Sequence, residues 1–150
     1  MGMSRRRPAA AREITAAEQE GLLAAARAAR LRAYAPYSHF RVGAALLTSE
    51  GEIISGCNVE NISYGLTNCA ERTAIFAARA AGQLGSASGG PTILAVAVVA
   101  KGATPPTPCG ACRQVLAEFG PQCVVFCANL RGERRTLTMN ELLPNAFGPW

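Results

Sequence analysis

Apolar and polar residues follow a helical periodicity over the first part of the chain. Residues 15–34 predict an amphipathic helix, since Thr15 followed by Glu18 makes a capping box at its start. The apolar positions that can share its buried face are Leu22, Leu23, Ala26 and Leu31. The segment Ala35-Pro36-Tyr37 then ends the helix, because proline does not continue a helical hydrogen-bond pattern.

The rest of the chain predicts a sheet that is crossed by two more helices. Residues 40–49 and 52–59 predict a hairpin that turns at Ser49-Glu50-Gly51. Residues 92–100 are a continuous apolar run, typical of a strand covered on both faces. The other predicted elements are helices over 70–81 and 110–119, strands over 123–130 and 135–138, loops over 82–91 and 101–108, and an irregular C-terminal end. This order predicts an α/β layered sheet with a parallel part where helices cross over.

Length and composition fit one domain with a single core. The chain has 150 residues, of which 49% are hydrophobic and 17% charged, and this composition excludes a disordered chain. No apolar stretch reaches the roughly 18 residues that a membrane span needs. The basic start of the chain has no apolar segment behind it and therefore does not resemble a signal peptide. A cytoplasmic protein without a membrane partner is the resulting expectation.

The net charge of +5 is concentrated at the N-terminus. Residues 1–12 hold four arginines and no acid, so we predict a basic, disordered tail there and a single, nearly neutral domain over 13–150. The domain shows no stripe of Lys and Arg interleaved with aromatic residues. Such a stripe is typical of nucleic-acid binding, and we therefore expect no nucleic-acid partner.

Six cysteines in an intracellular chain point to metal ligands or core residues before disulfides. Cys123 and Cys127 lie in an apolar strand and are predicted to be core residues. Cys57 stands beside Asn58 but alternates with polar positions in a predicted strand, and the same prediction applies.

The other three cysteines stand at the predicted starts of two helices. Two thiolates spaced as in Cys109-Gly110-Ala111-Cys112 can share one metal ion, and Cys69 can add a third ligand. Three protein ligands leave the fourth position open, as in catalytic zinc sites. Glu71 can then lie near the metal-bound water without ligating, and Arg72 can donate to the thiolates. Taken alone, the Cys-x-x-Cys spacing is equally consistent with a redox pair or half of a structural zinc site.

Together, these motifs resemble the cytidine deaminase family. The segments Cys69-Ala70-Glu71 and Pro108-Cys109-Gly110-Ala111-Cys112 match the Cys-x-Glu and Pro-Cys-x-x-Cys signature of zinc nucleobase deaminases in order and type. The family is also resembled by four further segments: Tyr37 to Ala45, Asn58 to Asn61, Arg72 to Ala74, and Leu142-Leu143-Pro144 with Phe147. The resemblance covers most of the chain beyond the basic tail.

The resemblance implies a fold, a reaction and a cofactor. The fold would be a three-layer α/β/α arrangement around a mixed five-stranded sheet. The reaction would be hydrolysis of cytidine and deoxycytidine to uridine and deoxyuridine with release of ammonia, a step of pyrimidine salvage. One Zn²⁺ per chain would be held by Cys69, Cys109 and Cys112, and Glu71 would shuttle protons for the zinc-activated water. The partners would be a small pyrimidine nucleoside and three further copies of the chain in a homotetramer.

The resemblance also implies the substrate contacts. Asn58 and Glu60 would hold the ribose hydroxyls, and Phe147 would cover the base, in this family often from a neighbouring subunit. The remaining implied contacts are Phe40 against the nucleoside, the N–H of Ala70 on the pyrimidine 2-oxygen, Tyr64 on the ribose across a subunit boundary and the Thr107 carbonyl on the leaving amine.

Simpler interpretations stand beside these roles. Without the resemblance, Asn58 and Glu60 would end a strand in solvent, and both Phe40 and Phe147 would be core residues. Arg72 would likewise be an ordinary charge on a helix surface. His39, the single histidine, is predicted to lie in a loop or at the surface.

Three rival functions share part of the pattern. A blasticidin-type deaminase has the same two metal segments, but Asn58 with Glu60, residues 69–73 and Phe147 favour the nucleoside enzyme. An RNA or DNA deaminase would need a basic channel. A zinc-stabilised binding module has no use for an open coordination position beside a carboxylate.

Overall fold

A mixed five-stranded sheet forms the centre of the computed structural model, which describes residues 12–86 and 89–148. The strands are β1 (Val42–Thr48), β2 (Ile53–Cys57), β3 (Ile93–Ala100), β4 (Val124–Asn129) and β5 (Arg134–Thr138), in the order β2-β1-β3-β4-β5. Strands β3 and β4 are parallel, and the other neighbouring pairs are antiparallel. The predicted hairpin, the predicted parallel part and the mixed five-stranded sheet are confirmed.

Helices cover both faces of this sheet. They are α1 (Ala16–Arg30), α2 (Ala70–Ala80), α3 (Gly110–Phe119) and the single turn α4 (Met139–Leu142). Apolar side chains of α1 pack in one buried cluster, and those of α2, α3 and α4 pack in another. The three predicted layers are therefore confirmed, with the sheet between α1 and the other helices.

Alternation along the strands produces the two clusters. In β3, Ala95, Ala97 and Val99 pack with α1, whereas Val96 and Val98 pack with α2 and α3. Successive side chains of a strand point to opposite faces, so a strand between two helical layers must be apolar throughout. The apolar run over residues 92–100 is therefore continuous because helices cover both faces of β3.

Two glycines let helices pack directly against the backbone of the sheet. A Cβ atom at Gly43 would lie 1.9 Å from the carbonyl oxygen of Ala26 in α1. A Cβ atom at Gly56 would lie 2.6 Å from the carbonyl oxygen of Ala70, the first residue of α2. Because Gly56 has no side chain, the backbone of β2 packs directly against the start of α2. This contact also fixes the position of Cys69, the residue just before the helix.

The first helix ends earlier than predicted. Its capping box, formed by Thr15 and Glu18, is confirmed, but it stops at Arg30, and Leu31 is 68% exposed. The prediction that Leu31 shares the buried face is wrong. Instead of continuing the helix, Tyr34 exchanges backbone hydrogen bonds with the segment 58–60, which lies far away in sequence. These tertiary hydrogen bonds override the local helical preference.

The C-terminal end is more regular than predicted. Thr138 and Glu141 form a second capping box that starts α4, and this turn was missed. The predicted basic tail lies outside the described residues, apart from Arg12, which is paired with Glu18. Within residues 12–86 and 89–148, no helix combines the length and apolar character needed to cross a membrane.

Candidate active site

Three cysteines converge where two helices begin. Cys69 is the N-cap of α2, Cys109 is the N-cap of α3, and Cys112 lies in the first turn of α3. Their sulfur atoms lie within 4.8 Å of one another, and the Sγ atoms of Cys69 and Cys109 are 3.8 Å apart. Tetrahedral ligands at the usual Zn–S distance are separated by about 3.8 Å. The donor set and its spacing therefore fit a zinc ion with three thiolate ligands.

Positive charge surrounds the thiolates. The Arg72 guanidinium donates a hydrogen bond of 3.2 Å to the Cys69 sulfur, and each helix N-terminus adds a partial positive charge. Hydrogen bonds from the Cys112 thiol and from Arg72 lower the pKa of Cys69 to about 5. The buried Nε of Arg72 has no hydrogen-bond partner within the described part of the chain. This spare donor suits a site that gains negative charge when all three thiols are deprotonated.

Glu71 is a carboxylic acid placed within the same cluster. It occupies the first turn of α2, and only 5% of the residue is exposed. Burial raises the pKa of its carboxyl group above the ordinary range, and a hydrogen bond from its own backbone N–H partly opposes this. A carboxyl group in such a place can accept and return protons without competing as a metal ligand.

Asn58 and Glu60 organise the segment that leads into β1. The amide oxygen of Asn58 accepts from the Val42 N–H at 2.8 Å, and its Nδ2 donates to the Phe40 carbonyl at 2.8 Å. The Glu60 carboxylate accepts from the Tyr37 N–H at 2.8 Å. Both side chains are buried, so the alternative that they end a strand in solvent is wrong.

Ser38, to which the sequence assigns no role, completes that network. Its N–H and its hydroxyl both donate to Glu60, and its hydroxyl oxygen accepts from the Phe40 N–H at 3.0 Å. The hydrogen bond from Ser38 is the main cause that lowers the pKa of Glu60. Glu60 thus remains an ionised acceptor that also holds the turn just before Phe40.

The three aromatic candidates are all exposed on the single chain. Phe40 is 45% exposed, Tyr64 is 75% exposed and Phe147 is 88% exposed. The alternative that Phe40 and Phe147 are core residues is wrong. Tyr64 contacts Tyr37 edge to face, with ring centroids 6.0 Å apart. These rings are available to a ligand or to another subunit.

The other residues singled out from the sequence lie apart from the cluster. Cys123 and Cys127 are buried core residues, as predicted, and burial raises the pKa of each to about 12. Cys57 is half-buried on β2 and lies outside both core clusters, so the prediction that it is a core residue is wrong. His39 is exposed, as predicted. Within residues 12–86 and 89–148, the only group of three or more candidate metal ligands is the cysteine cluster.

Two residues of α3 that had no assigned role join the site to the C-terminal end. Arg113 donates to the carbonyl oxygens of Pro108 and Leu142, and Gln114 donates to that of Phe147. Both follow directly on Cys112 in the sequence. Their partners around residues 142–147 lie about 30 positions away, and no local pattern signals such a contact.

Comparison with known proteins agrees with this geometry. The chain matches the family model described as "Cytidine and deoxycytidylate deaminase zinc-binding region" over residues 16–128, which include the cysteine cluster. A cytidine deaminase of Halalkalibacterium halodurans is 50% identical over 131 residues, covering 87% of this chain and 94% of that protein. The crystal structure of a cytidine deaminase from Burkholderia pseudomallei is 52% identical with a TM-score of 0.78, covering 85% and 98% of the two chains. A blasticidin-S deaminase of Bacillus cereus is 35% identical over 108 residues, covering 69% of this chain and 74% of that protein.

Proposed function

This chain belongs to the cytidine and deoxycytidylate deaminase family, and we propose that it hydrolyses the 4-amino group of cytidine and deoxycytidine. The products are uridine or deoxyuridine and ammonia. One observation carries the proposal: three cysteine sulfurs at two helix starts, within 4.8 Å of one another, stand with the buried carboxyl group of Glu71. This arrangement combines a three-ligand metal site with a proton carrier that does not ligate.

The reaction divides between the metal and Glu71. Cys69, Cys109 and Cys112 would hold a zinc ion, which would supply a water molecule of lowered pKa for attack on C4 of the base. Glu71 accepts a proton from this water and delivers it to N3 as the C4–O bond forms. The proton of the new C4 hydroxyl then passes through Glu71 to the amine, the C4–N bond breaks as the C4 carbonyl forms, and ammonia leaves. Burial keeps the carboxyl group away from bulk water, so its protons go to the substrate.

The surrounding residues would bind the nucleoside. The ionised Glu60 can accept from a ribose hydroxyl, and Asn58 retains a second amide N–H, a pair that suits a diol. The N–H of Ala70, the first residue of α2, has no intrahelical acceptor and can donate to the pyrimidine 2-oxygen. Phe40 would lie against the nucleoside, and the carbonyl of Thr107 would accept from the leaving amine.

The substrate class can be tested by ammonia release from the purified protein. We expect turnover of cytidine and deoxycytidine, and no comparable turnover of blasticidin S or of cytosine in a single-stranded oligonucleotide. The reason is that Asn58 and Glu60 provide a small polar site for a ribose, whereas an oligonucleotide needs a basic channel. Turnover of blasticidin S or the oligonucleotide alone would contradict the proposal, and zinc binding without any turnover would favour a binding module.

The cellular setting follows from the same chemistry. All six cysteines are free thiols, which suits the reducing cytoplasm, and free nucleosides are the substrates of salvage. We propose a cytoplasmic enzyme of pyrimidine salvage whose partners are a small nucleoside and other copies of itself, with no nucleic acid or membrane.

Exposed apolar side chains support assembly into a homotetramer. Ile62, Tyr64 and Leu66 are 81%, 75% and 70% exposed within one short segment, and Phe147 is 88% exposed. Apolar side chains grouped in this way on one chain typically mark a contact with another protein. In the proposed tetramer, Tyr64 would reach the ribose and Phe147 would cover the base at subunit boundaries.

Light scattering at assay concentration tests this assembly, and we expect a tetramer.

The variant Phe147→Ala tests whether the ring covers the base. We expect its KM to rise about tenfold, since stacking on a base contributes about 1–3 kcal/mol. Leu130→Ala is the matched control, because Leu130 is also exposed but lies in the β4–β5 turn with no proposed role. A fully active monomer would contradict the assembly, and an unchanged KM in Phe147→Ala would contradict the role of its ring.

A further inference from the structure

Two adjacent side chains of α3 connect the metal-binding helix to the C-terminal segment, residues 143–147. We propose that Arg113 and Gln114 are positioning residues that hold this segment on α3 and thereby set where Phe147 stands at the nucleoside site. The inference rests on the proposed function, because that function assigns Phe147 to the base. It adds the contacts that position the Phe147 ring.

Arg113 fixes the beginning of the segment. Its Nε donates to the Pro108 carbonyl at 2.7 Å, and its Nη1 donates to the Leu142 carbonyl at 2.9 Å. Pro108 precedes the ligand Cys109, and Leu142 is the last residue of α4. The carbonyls at a helix end have no intrahelical partner, and the planar guanidinium can serve two acceptors at once. One half-buried side chain therefore joins the metal-ligand loop to the base of the segment.

Gln114 fixes the far end. Its Nε2 donates to the Phe147 carbonyl at 3.0 Å. Between the two anchors the backbone is irregular, with Asn145 at a φ of 53° and Leu143 packed against the core. Among the described residues, Gln114 is the only one whose side chain donates to positions 144–148. The position of Phe147 thus depends on a hydrogen bond from the helix that carries Cys112.

The ring itself has no such support on its own chain, since Phe147 is 88% exposed. If Gln114 no longer holds the backbone, the segment must be ordered each time a nucleoside binds, and this entropy cost weakens binding. The metal ligands and Glu71 are unaffected, so kcat should change little. We expect KM to rise about three- to tenfold, the worth of one hydrogen bond to a neutral partner.

The first experiment compares Gln114→Glu, Gln114→Ala and Glu118→Gln. The Glu variant keeps the shape of the side chain but removes both N–H donors, and Glu118 is an exposed control on the same helix. For both Gln114 variants we expect the rise in KM, kcat within about twofold and unchanged zinc content. Hydrogen exchange in peptides covering 143–148 should become faster, and it should do so in Arg113→Lys as well. Unchanged exchange and KM in the Gln114 variants would overturn the inference, and unchanged exchange in Arg113→Lys would overturn the part of Arg113.

A double-mutant cycle between Gln114→Ala and Phe147→Ala decides whether Gln114 acts through the ring. If it does, the double variant has the KM of Phe147→Ala, because the ring has already been removed. Independent effects, in which the two rises in KM multiply, would overturn the inference even if both single variants bind weakly. An unchanged KM in Phe147→Ala is a different failure, because it removes the proposed role of Phe147 and not merely the device that positions it.

Discussion

Glu71→Gln should remove almost all turnover while zinc and nucleoside still bind. Glutamine has the same shape as glutamate but does not accept the proton of the attacking water, so the acid–base contribution of about 10²- to 10⁴-fold in kcat is lost at a minimum. The Glu71 side chain is buried and is not among the three grouped candidate ligands, so its replacement should leave the three sulfurs in place. Ammonia release, zinc content and nucleoside binding by calorimetry measure the three quantities separately.

Glu118→Gln is the matched control for this change. It makes the same chemical replacement on an exposed position of α3 and should keep the full rate. A Glu71→Gln enzyme with a near-normal rate would sink the proposed mechanism. A variant that loses zinc together with activity would show instead that Glu71 supports the metal.

Cys112→Ala should lose metal and activity together. The three sulfurs are placed to hold one metal ion, and with two of them left the affinity for zinc should fall steeply. Zinc content, measured by mass spectrometry of the purified protein, should drop from about one ion per chain to a small fraction. The melting temperature should fall as well, because the ion connects the starts of α2 and α3 and its binding free energy adds to folding. Cys69→Ala and Cys109→Ala should behave alike.

Cys123→Ala separates loss of a ligand from loss of a buried thiol. Cys123 is as buried as Cys112 but packs in the core, so the variant should lose some stability and keep its zinc. Release of zinc from Cys123→Ala would mean that the ligand set is wrong.

The metal cluster was predictable because its signals are local. A Cys-x-x-Cys spacing brings two thiolates to the start of one helix, and Cys69 adds a third thiolate at the start of another. The remaining question was whether these two helices begin close to each other. The order of strands and helices places both at the same end of the sheet, and the structure brings the sulfurs together.

Contacts between distant segments were not predictable in the same way. Leu31 fits a helical face, yet the backbone of Tyr34 pairs with residues 58–60, and nothing near Leu31 encodes that partner. The hydrogen bonds that Glu60 and Asn58 accept from the N–H groups of Tyr37 and Val42 likewise join positions about 20 residues apart. The α4 turn is a different case, since its capping box, Thr138 with Glu141, is visible in the sequence but lies in a segment too short to show a period.

The two faces of the sheet differ in how much mutational change they can absorb. Each face has one glycine that cannot be replaced without moving a helix, Gly43 against α1 and Gly56 against α2. On the α1 side, however, the sheet contributes mostly alanines, such as Ala45, Ala95 and Ala97, which leave little room for larger residues. The opposite face is built from branched aliphatic residues such as Ile75, Val96 and Val125, which can exchange volume with one another. Apart from Gly56, natural drift and laboratory evolution should therefore vary the layer of α2 and α3 more freely than the layer of α1. Mutant libraries aimed at thermostability should therefore vary the aliphatic residues packed between the sheet and α2 and α3, and should leave Gly43 and Gly56 unchanged.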